Sequence, residues 1–407
     1  MEQLTDITAL VEHPVYVAPL PAAASPDGIR RVLASAFMGN AVIAIDYSHA
    51  WHRPEERSIG RVALFAAGVY CPGSVSDLAA GAVSSILRLP RRPKQHDSAA
   101  KAASGDVSML SHGERGCGVV DSPWGLLHSG GRVFVSSFGS DQVLMFSVAG
   151  AYLGHMGSSA VLDCPQGMAL DEGSGVLFVV SFIGNSIARF DASSGRFLGY
   201  LLQPGSDILH APEDCALQYL AGETQPRLLV TSHWDDSVHA FDTASGAYLG
   251  RIVGGDEGAT SPVQMDAAHA FWLQHRPAPS PPRKPKMQPG AKTPPLRSGL
   301  PPLSPVGIHV QADGHFLVAS FRRNAVMRYP PTGGQGQVYV RGGGVRGPSG
   351  LAAGEAGEVF VASYDNHKVL LYNATSSPIG DGADQEDLQR WVAYTLTLSS
   401  DKNSKRR

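Results

Sequence analysis

Residues Leu177–Asp191 read LFVVSFIGNSIARFD. Apolar residues alternate on both sides of a short polar centre, Gly184-Asn185-Ser186. A period of two flanking an Asn-containing turn specifies two antiparallel strands, not a helix. The phrase occurs six times: VLASAFMGNAVIAID from Val32, VFVSSFGSDQVLMF from Val133, the copy above, LLVTSHWDDSVHAFD from Leu228, FLVASFRRNAVMRY from Phe316 and VFVASYDNHKVLLY from Val359.

Working outward, most copies are followed by a Gly-containing turn and another strand: AYLGHM at Ala151, RFLGYL at Arg196, AYLGRI at Ala247 and QVYVRG at Gln337. Most are preceded by Pro-x-Gly and a strand, as in PWGLL at Pro123, PQGMAL at Pro165, PVGIHV at Pro305 and PSGLAA at Pro348. The fourth copy opens PEDCAL at Pro212, with Asp214 where the others have Gly. Each unit therefore holds four short strands in a period of about 42–50 residues, the spacing of propeller blades. One such unit cannot bury both faces of its sheet, whereas units stacked in a ring cover one another.

These residues resemble NHL-type repeats, in the variant whose blades read P-x-G-L, then L-V-S-S-F-x-x-N-x-V-x-R-Y-D, then G-x-F-L-G. The resemblance covers about three quarters of the chain and implies an all-β fold, a six-bladed β-propeller of four-stranded antiparallel blades. It is specific for fold rather than function, because such propellers include binding modules, lyases and lactonase-like enzymes.

The opening prolines fall at 123, 165, 212, 305 and 348. The wide interval before 305 reads as an insertion over 262–304. Its centre, Arg276–Leu303, has ten Pro, six basic residues and no acid, which can supply neither ladder donors nor a core. A second basic insertion is expected over 72–121. The expected organisation is an extension at 1–13, one propeller domain over 14–398, and a basic tail at 399–407. The opening strand is VYVAPL from Val15 and the closing one RWVAYTLTL from Arg390. Strands in A–B–C–D order put the B–C and D–A loops on one face, so both insertions emerge there as flexible basic arms on opposite sides of the ring.

Residues shared by every blade serve what every blade needs. Ser137, Ser181, Ser232, Ser320 and Ser363 read as turn hydroxyls that satisfy backbone groups. Asn40, Asp141, Asn185, Asp236 and Asn324 occupy a place that suits a left-handed backbone. Phe37, Phe138, Phe182, Phe321 and Tyr364 read as inter-blade packing.

Singular chemistry is expected where the pattern breaks, in blade four. His233 replaces the aromatic there, in Ser232-His233-Trp234-Asp235-Asp236, and the blade opens His210-Ala211-Pro212-Glu213-Asp214. Imidazoles with carboxylates suit one divalent metal ion. The candidate ligands are His210, Glu213, Asp214, His233, Asp235 and Asp236, with His309 and His367 as contributors from neighbouring blades. Against the known signatures, there is no Walker loop, no H-E-x-x-H and no G-x-S-x-G. Of the three channel histidines that an amidating-lyase-like site implies, only His309 has a counterpart; Ala169, Ala216 and Ala352 hold the matching places.

Composition narrows the function classes. The 407 residues are 43% hydrophobic and 17% charged, with a formal charge of −3, which argues against a nucleic-acid binder held by a broad basic field. No apolar run approaches a membrane span. Four Cys without a C-x-x-C read as free thiols of a reducing compartment, and the acidic start is unlike a secretory leader, so the expected location is cytoplasmic. The expected function is a non-catalytic interaction module binding a protein or peptide through the B–C/D–A loop face. The Pro-rich 276–303 segment would offer a contact for SH3/WW-type domains. The alternatives are a metal-dependent hydrolase or lyase near blade four and, third, an RNA-binding propeller.

Overall fold

The structure is a computed structural model, and it describes residues 13–21, 30–37, 40–48, 58–67, 120–254, 302–342, 344–354, 358–373 and 392–397. The expected insertions and tails fall almost wholly outside these residues. Six four-stranded antiparallel sheets are formed, each from consecutive strands. Blade one is β1 (Pro14–Leu20), β2 (Arg31–Ala36), β3 (Ala41–Ser48) and β4 (Ser58–Ala67). Blade two is β5 (Pro123–Ser129), β6 (Arg132–Ser137), β7 (Gln142–Ser147) and β8 (Tyr152–Met156). Blade three is β9 (Pro165–Asp171), β10 (Val176–Ser181), β11 (Ser186–Asp191) and β12 (Phe197–Leu202). Blade four is β13 (Pro212–Gln218), β14 (Arg227–Ser232), β15 (Ser237–Asp242) and β16 (Tyr248–Val253). Blade five is β17 (Pro305–Val310), β18 (Phe316–Ser320), β19 (Ala325–Tyr329) and β20 (Gln337–Arg341). Blade six is β21 (Pro348–Ala353), β22 (Glu358–Ser363), β23 (Lys368–Asn373) and β24 (Val392–Thr397).

The first strand of each blade touches the first strand of the next, and β21 touches β1, so the ring closes as a six-bladed β-propeller. No strand is shared across the closure, since blades one and six are each built from their own consecutive strands. The core lies between blades. Leu33 and Val42 of blade one pack with Leu126 and Val133 of blade two. Phe134 of blade two packs with Leu177 and Phe190 of blade three. Leu317 and Val326 of blade five meet Leu351 and Val361 of blade six. Alternation on both faces of each strand is what lets one sheet serve two such layers.

The Pro-x-Gly motif is explained by crowding at the axis. A Cβ on Gly307 would sit 2.1 Å from the Ser349 carbonyl oxygen of the next inner strand, and one on Gly167 would sit 2.2 Å from Asp214 Oδ1. Four blades carry Gly at this third position. The other two are blade one, Pro14-Val15-Tyr16, and blade four, Pro212-Glu213-Asp214. These blades face each other across the ring. The Tyr16 hydroxyl donates to Asp214, 3.1 Å from each carboxylate oxygen, so one pair of side chains fills the axis where the glycines leave room.

Candidate functional site on the loop face

The residues common to all blades build a set of latches between neighbours. The left-handed turn residue of one blade accepts the backbone N–H of the residue just before the next blade's opening proline. Asn40 Oδ1 accepts from Ser122 at 2.6 Å, Asp141 from Cys164 at 2.8 Å and Asn185 from Ala211 at 2.9 Å. Asp236 Oδ1 accepts from Ser304 at 2.5 Å and Asn324 Oδ1 from Gly347 at 2.8 Å. At the closure His367 Nδ1 takes the same part, accepting from His13 at 3.0 Å. The eleven non-Gly residues with positive φ among the described residues all belong to these latches, and Gly347 is the remaining member. Backbone strain is thus gathered at the blade junctions, where bonding over-determines the conformation.

The repeated serines act differently from their expected part within the B–C turn. Ser137 Oγ bonds both the N–H and the carbonyl of Asp121, Ser232 Oγ those of His210, and Ser363 Oγ those of Arg346. They tie the incoming D–A connection to the turn. The aromatics do pack between blades, as expected. Phe37 lies 5.7 Å from Phe138, Phe138 lies 6.2 Å from Phe182, and Phe321 lies 5.9 Å from Tyr364, all between ring centroids. Trp124 and Trp234 pack into this layer.

The six expected metal ligands of blade four and His309 occupy five separate settings. Asp214 is buried at the axis, accepting from Tyr16, from Cys215 N–H at 2.8 Å and from Ile308 N–H at 2.9 Å. Burial pushes its carboxyl up to about 7 against the effect of those hydrogen bonds. Asp236 is a latch. His233 sits in the aromatic layer with Nδ1 3.3 Å from Glu213 Oε1, both side chains buried. Asp235 collects His239 Nε2 at 3.1 Å, Arg251 at 3.6 Å and His210 Nδ1 at 3.9 Å. His309 lies on β17 opposite Leu317, and burial pushes its imidazole down to about 4. Among the described residues, the group of three His, Cys, Asp or Glu side chains with ligand atoms within 4.8 Å of one another is Asp141, Asp163 and Cys164, none of them in the expected set. Cys164 and Cys215 are buried thiols outside any disulfide.

The Asp235 network was only half visible beforehand. His239 and Tyr248 belong to it: His239 Nε2 is 2.6 Å from Ser237 Oγ and its Nδ1 is 2.9 Å from the Tyr248 hydroxyl. Burial disfavours the Asp235 charge, but its contacts with His210, His239 and Ser232 outweigh it and hold the carboxyl well below the usual range. The neighbouring Asp235 carboxylate raises the His210 imidazole in turn.

A second feature opens on the same face between blades five and six. A cavity of about 460 Å³ is lined by Arg323, Asn324, Arg341, Gly342, Val345, Arg346 and Asp365. Arg323 comes from the β18–β19 turn, Arg341 and Arg346 from the end of β20 and the connection to β21, and Asp365 from the turn after β22. The sequence offered Arg322-Arg323 as a local basic pair. Its reinforcement by two arginines nearly twenty residues on needs the fold.

No family model matches the sequence, and no curated protein matches it. Among solved structures, the chain is similar to virginiamycin B lyase from Staphylococcus aureus in a catalytically inactive form with quinupristin: 12% identity over 94% of this chain and 87% of that one, TM-score 0.46. It is similar to a streptogramin B lyase at 13% identity, over 91% and 89% of the two chains, TM-score 0.45. It is also similar to a chain of a nidogen/laminin complex at 11% identity, over 63% and 77%, TM-score 0.44. At these scores the architecture rests on the strand pairing itself. No helix among the described residues is long and apolar enough to cross a membrane.

Proposed function

We propose that the protein is a binding module whose B–C/D–A loop face receives a protein or peptide. The observation that carries this reading is the arginine-lined cavity between blades five and six, which opens on that face. Two further features support it. The axis, where a propeller enzyme would keep a substrate, is filled by Tyr16 and Asp214. The repeated polar residues are occupied in latches, leaving recognition to the residues that differ between blades. The Pro-rich segment 276–303, nearly all of it outside the described residues, would add a polyproline II ligand for SH3/WW-type domains, and the buried thiols of Cys164 and Cys215 fit a cytoplasmic setting.

The test is retention on a random-peptide array. A charge reversal on the loop face, Arg322→Glu, should reduce it, while Glu172→Lys and Glu223→Lys on the opposite face should leave it unchanged. Equal loss from both faces, or from neither, would overturn the reading. The second reading, a metal-dependent hydrolase or lyase, draws on Asp235 with His210 and His239 on either side. Elemental analysis of the purified protein and of an Asp235→Asn variant separates the two readings.

A further inference from the structure

We propose that the cleft between blades five and six binds a phosphate dianion carried on a peptide side chain, a phosphoserine or phosphothreonine. This rests on the loop face being the binding surface and names what that surface reads. The lining brings three arginines, Arg323, Arg341 and Arg346, and one carboxylate, Asp365, to a single cleft. A phosphorylated side chain carries about −1.5 to −2 charges near neutral pH, more than a single carboxylate, and so gains more from a guanidinium-rich lining. All the basic groups in the lining are guanidinium, and a guanidinium fork meets phosphate oxygens with two parallel N–H donors. The volume lies within the range of about 300–1,000 Å³ usual for small-ligand pockets, enough for the charged group and the residue that bears it.

The backbone that carries Arg346 is tied down from both blades. The loop Arg341–Gly347 reads RGGGVRG. Val345 N–H bonds Gly342 O at 3.0 Å, Arg346 N–H bonds Ser363 Oγ at 2.8 Å, and Gly347 N–H bonds Asn324 Oδ1 at 2.8 Å. From blade six, Asp365 N–H bonds Arg346 O at 3.2 Å and Asn366 Nδ2 bonds Gly344 O at 2.6 Å. A loop pinned from both blades loses little freedom on binding, which is what a small charged ligand needs. Asn324, also in the lining, spends its Oδ1 on the latch to Gly347. RNA is the less suited occupant, because sequence-tolerant strands need exposed rings to stack on. The rings of this layer are taken up in blade packing: Phe37, Phe138, Phe182 and Tyr364 are buried, and Phe321 and Trp234 are half-buried against them.

The experiment uses the full chain and three fluorescent pools: a degenerate peptide library with a central phosphoserine, the same library unphosphorylated, and a degenerate RNA 12-mer. The phosphoserine pool should bind, be displaced by inorganic phosphate, and weaken below about pH 6 as the phosphate loses its second charge. Arg323→Ala and Arg346→Ala should each weaken it at least about tenfold, with Arg346→Lys in between and melting temperatures unchanged. Equal binding of the two peptide pools, or phosphopeptide binding indifferent to both arginines, would overturn the proposal, as would RNA held through those arginines in place of the phosphopeptide. If the unphosphorylated pool alone binds and Arg322→Glu abolishes it, the module reading stands and the phosphate site falls. If neither peptide pool binds, both fall.

Discussion

The Tyr16 hydroxyl and the Asp214 carboxylate meet at 3.1 Å across the axis of the ring, although 198 positions separate them in the chain. They stand at the one place per blade where the other blades carry Gly, and each is the large residue that the opposite blade's departure from the motif accommodates.

Asp214 makes stability pH-dependent in a direction opposite to most carboxylates. Burial raises its pKa to about 7, above the ~3.9 of an unfolded chain, so the folded state holds a proton that the unfolded state releases. Stability is full below pH ~4 and declines by up to ~1.4 kcal/mol per pH unit as the pH rises toward 7. Asp214→Asn should flatten this slope in chemical denaturation across pH 4–8. An unchanged slope would refute the assignment. Tyr16→Phe should leave the fold intact and change the midpoint of the same titration.

On the loop face, His210 should titrate above 6.5. Its pKa is raised first by the Asp235 carboxylate beside it, so the stabilising contact is complete below 6.5 and disappears as pH passes through the raised value. Proton NMR of the His210 ring in the parent and in Asp235→Asn checks this, with the variant's pKa expected to fall. No fall would mean that Asp235 is not the cause.

The latches predict an order of substitutions at a single site. Asn185→Ala removes the acceptor for the Ala211 N–H and leaves a Cβ at φ 48°. The cost is about 1–3 kcal/mol from the stranded donor, with left-handed strain added. Asn185→Gly forfeits the same bond without the strain and should be the milder change by thermal melting. If Gly proves worse than Ala, the left-handed geometry is not what the position selects.

Crowding at the axis predicts that the smallest insertion is costly. Gly307→Ala places a methyl 2.1 Å from a backbone oxygen that belongs to the neighbouring inner strand. Overpacking of this kind costs about 1–3 kcal/mol, and more where the obstacle is backbone. Gly334→Ala, where an added Cβ meets nothing within 4 Å but φ is +88°, carries left-handed strain without crowding and serves as the comparison. Denaturant midpoints should rank Gly307→Ala well below it.

The ring was legible because its signal is periodic: alternating strands, Pro-x-Gly openings and Asn or Asp turns repeat often enough to be read as one unit. What stayed hidden were pairings between units. Asp214 stood out as a break in blade four, but its counterpart Tyr16 did not, since blade one opens Pro14-Val15-Tyr16 and never announces a missing Gly. The turn Asn and Asp residues were correctly placed in left-handed backbone, yet their side chains reach into the next blade, which no single repeat encodes. Arg341 and Arg346 sit in a connection that looks like glycine-rich spacer until the fold sets it beside Arg323.

Since each blade is drawn from one continuous stretch of chain, the junction between blade six and blade one is held by the same kind of latch as the five others, with His367 and His13 in the usual parts. The seam that closes the ring is therefore built like every other junction. A permuted chain, with blade six linked directly to blade one and an opening cut between residues 254 and 302, should assemble the same ring, so the order in which the blades are strung is interchangeable.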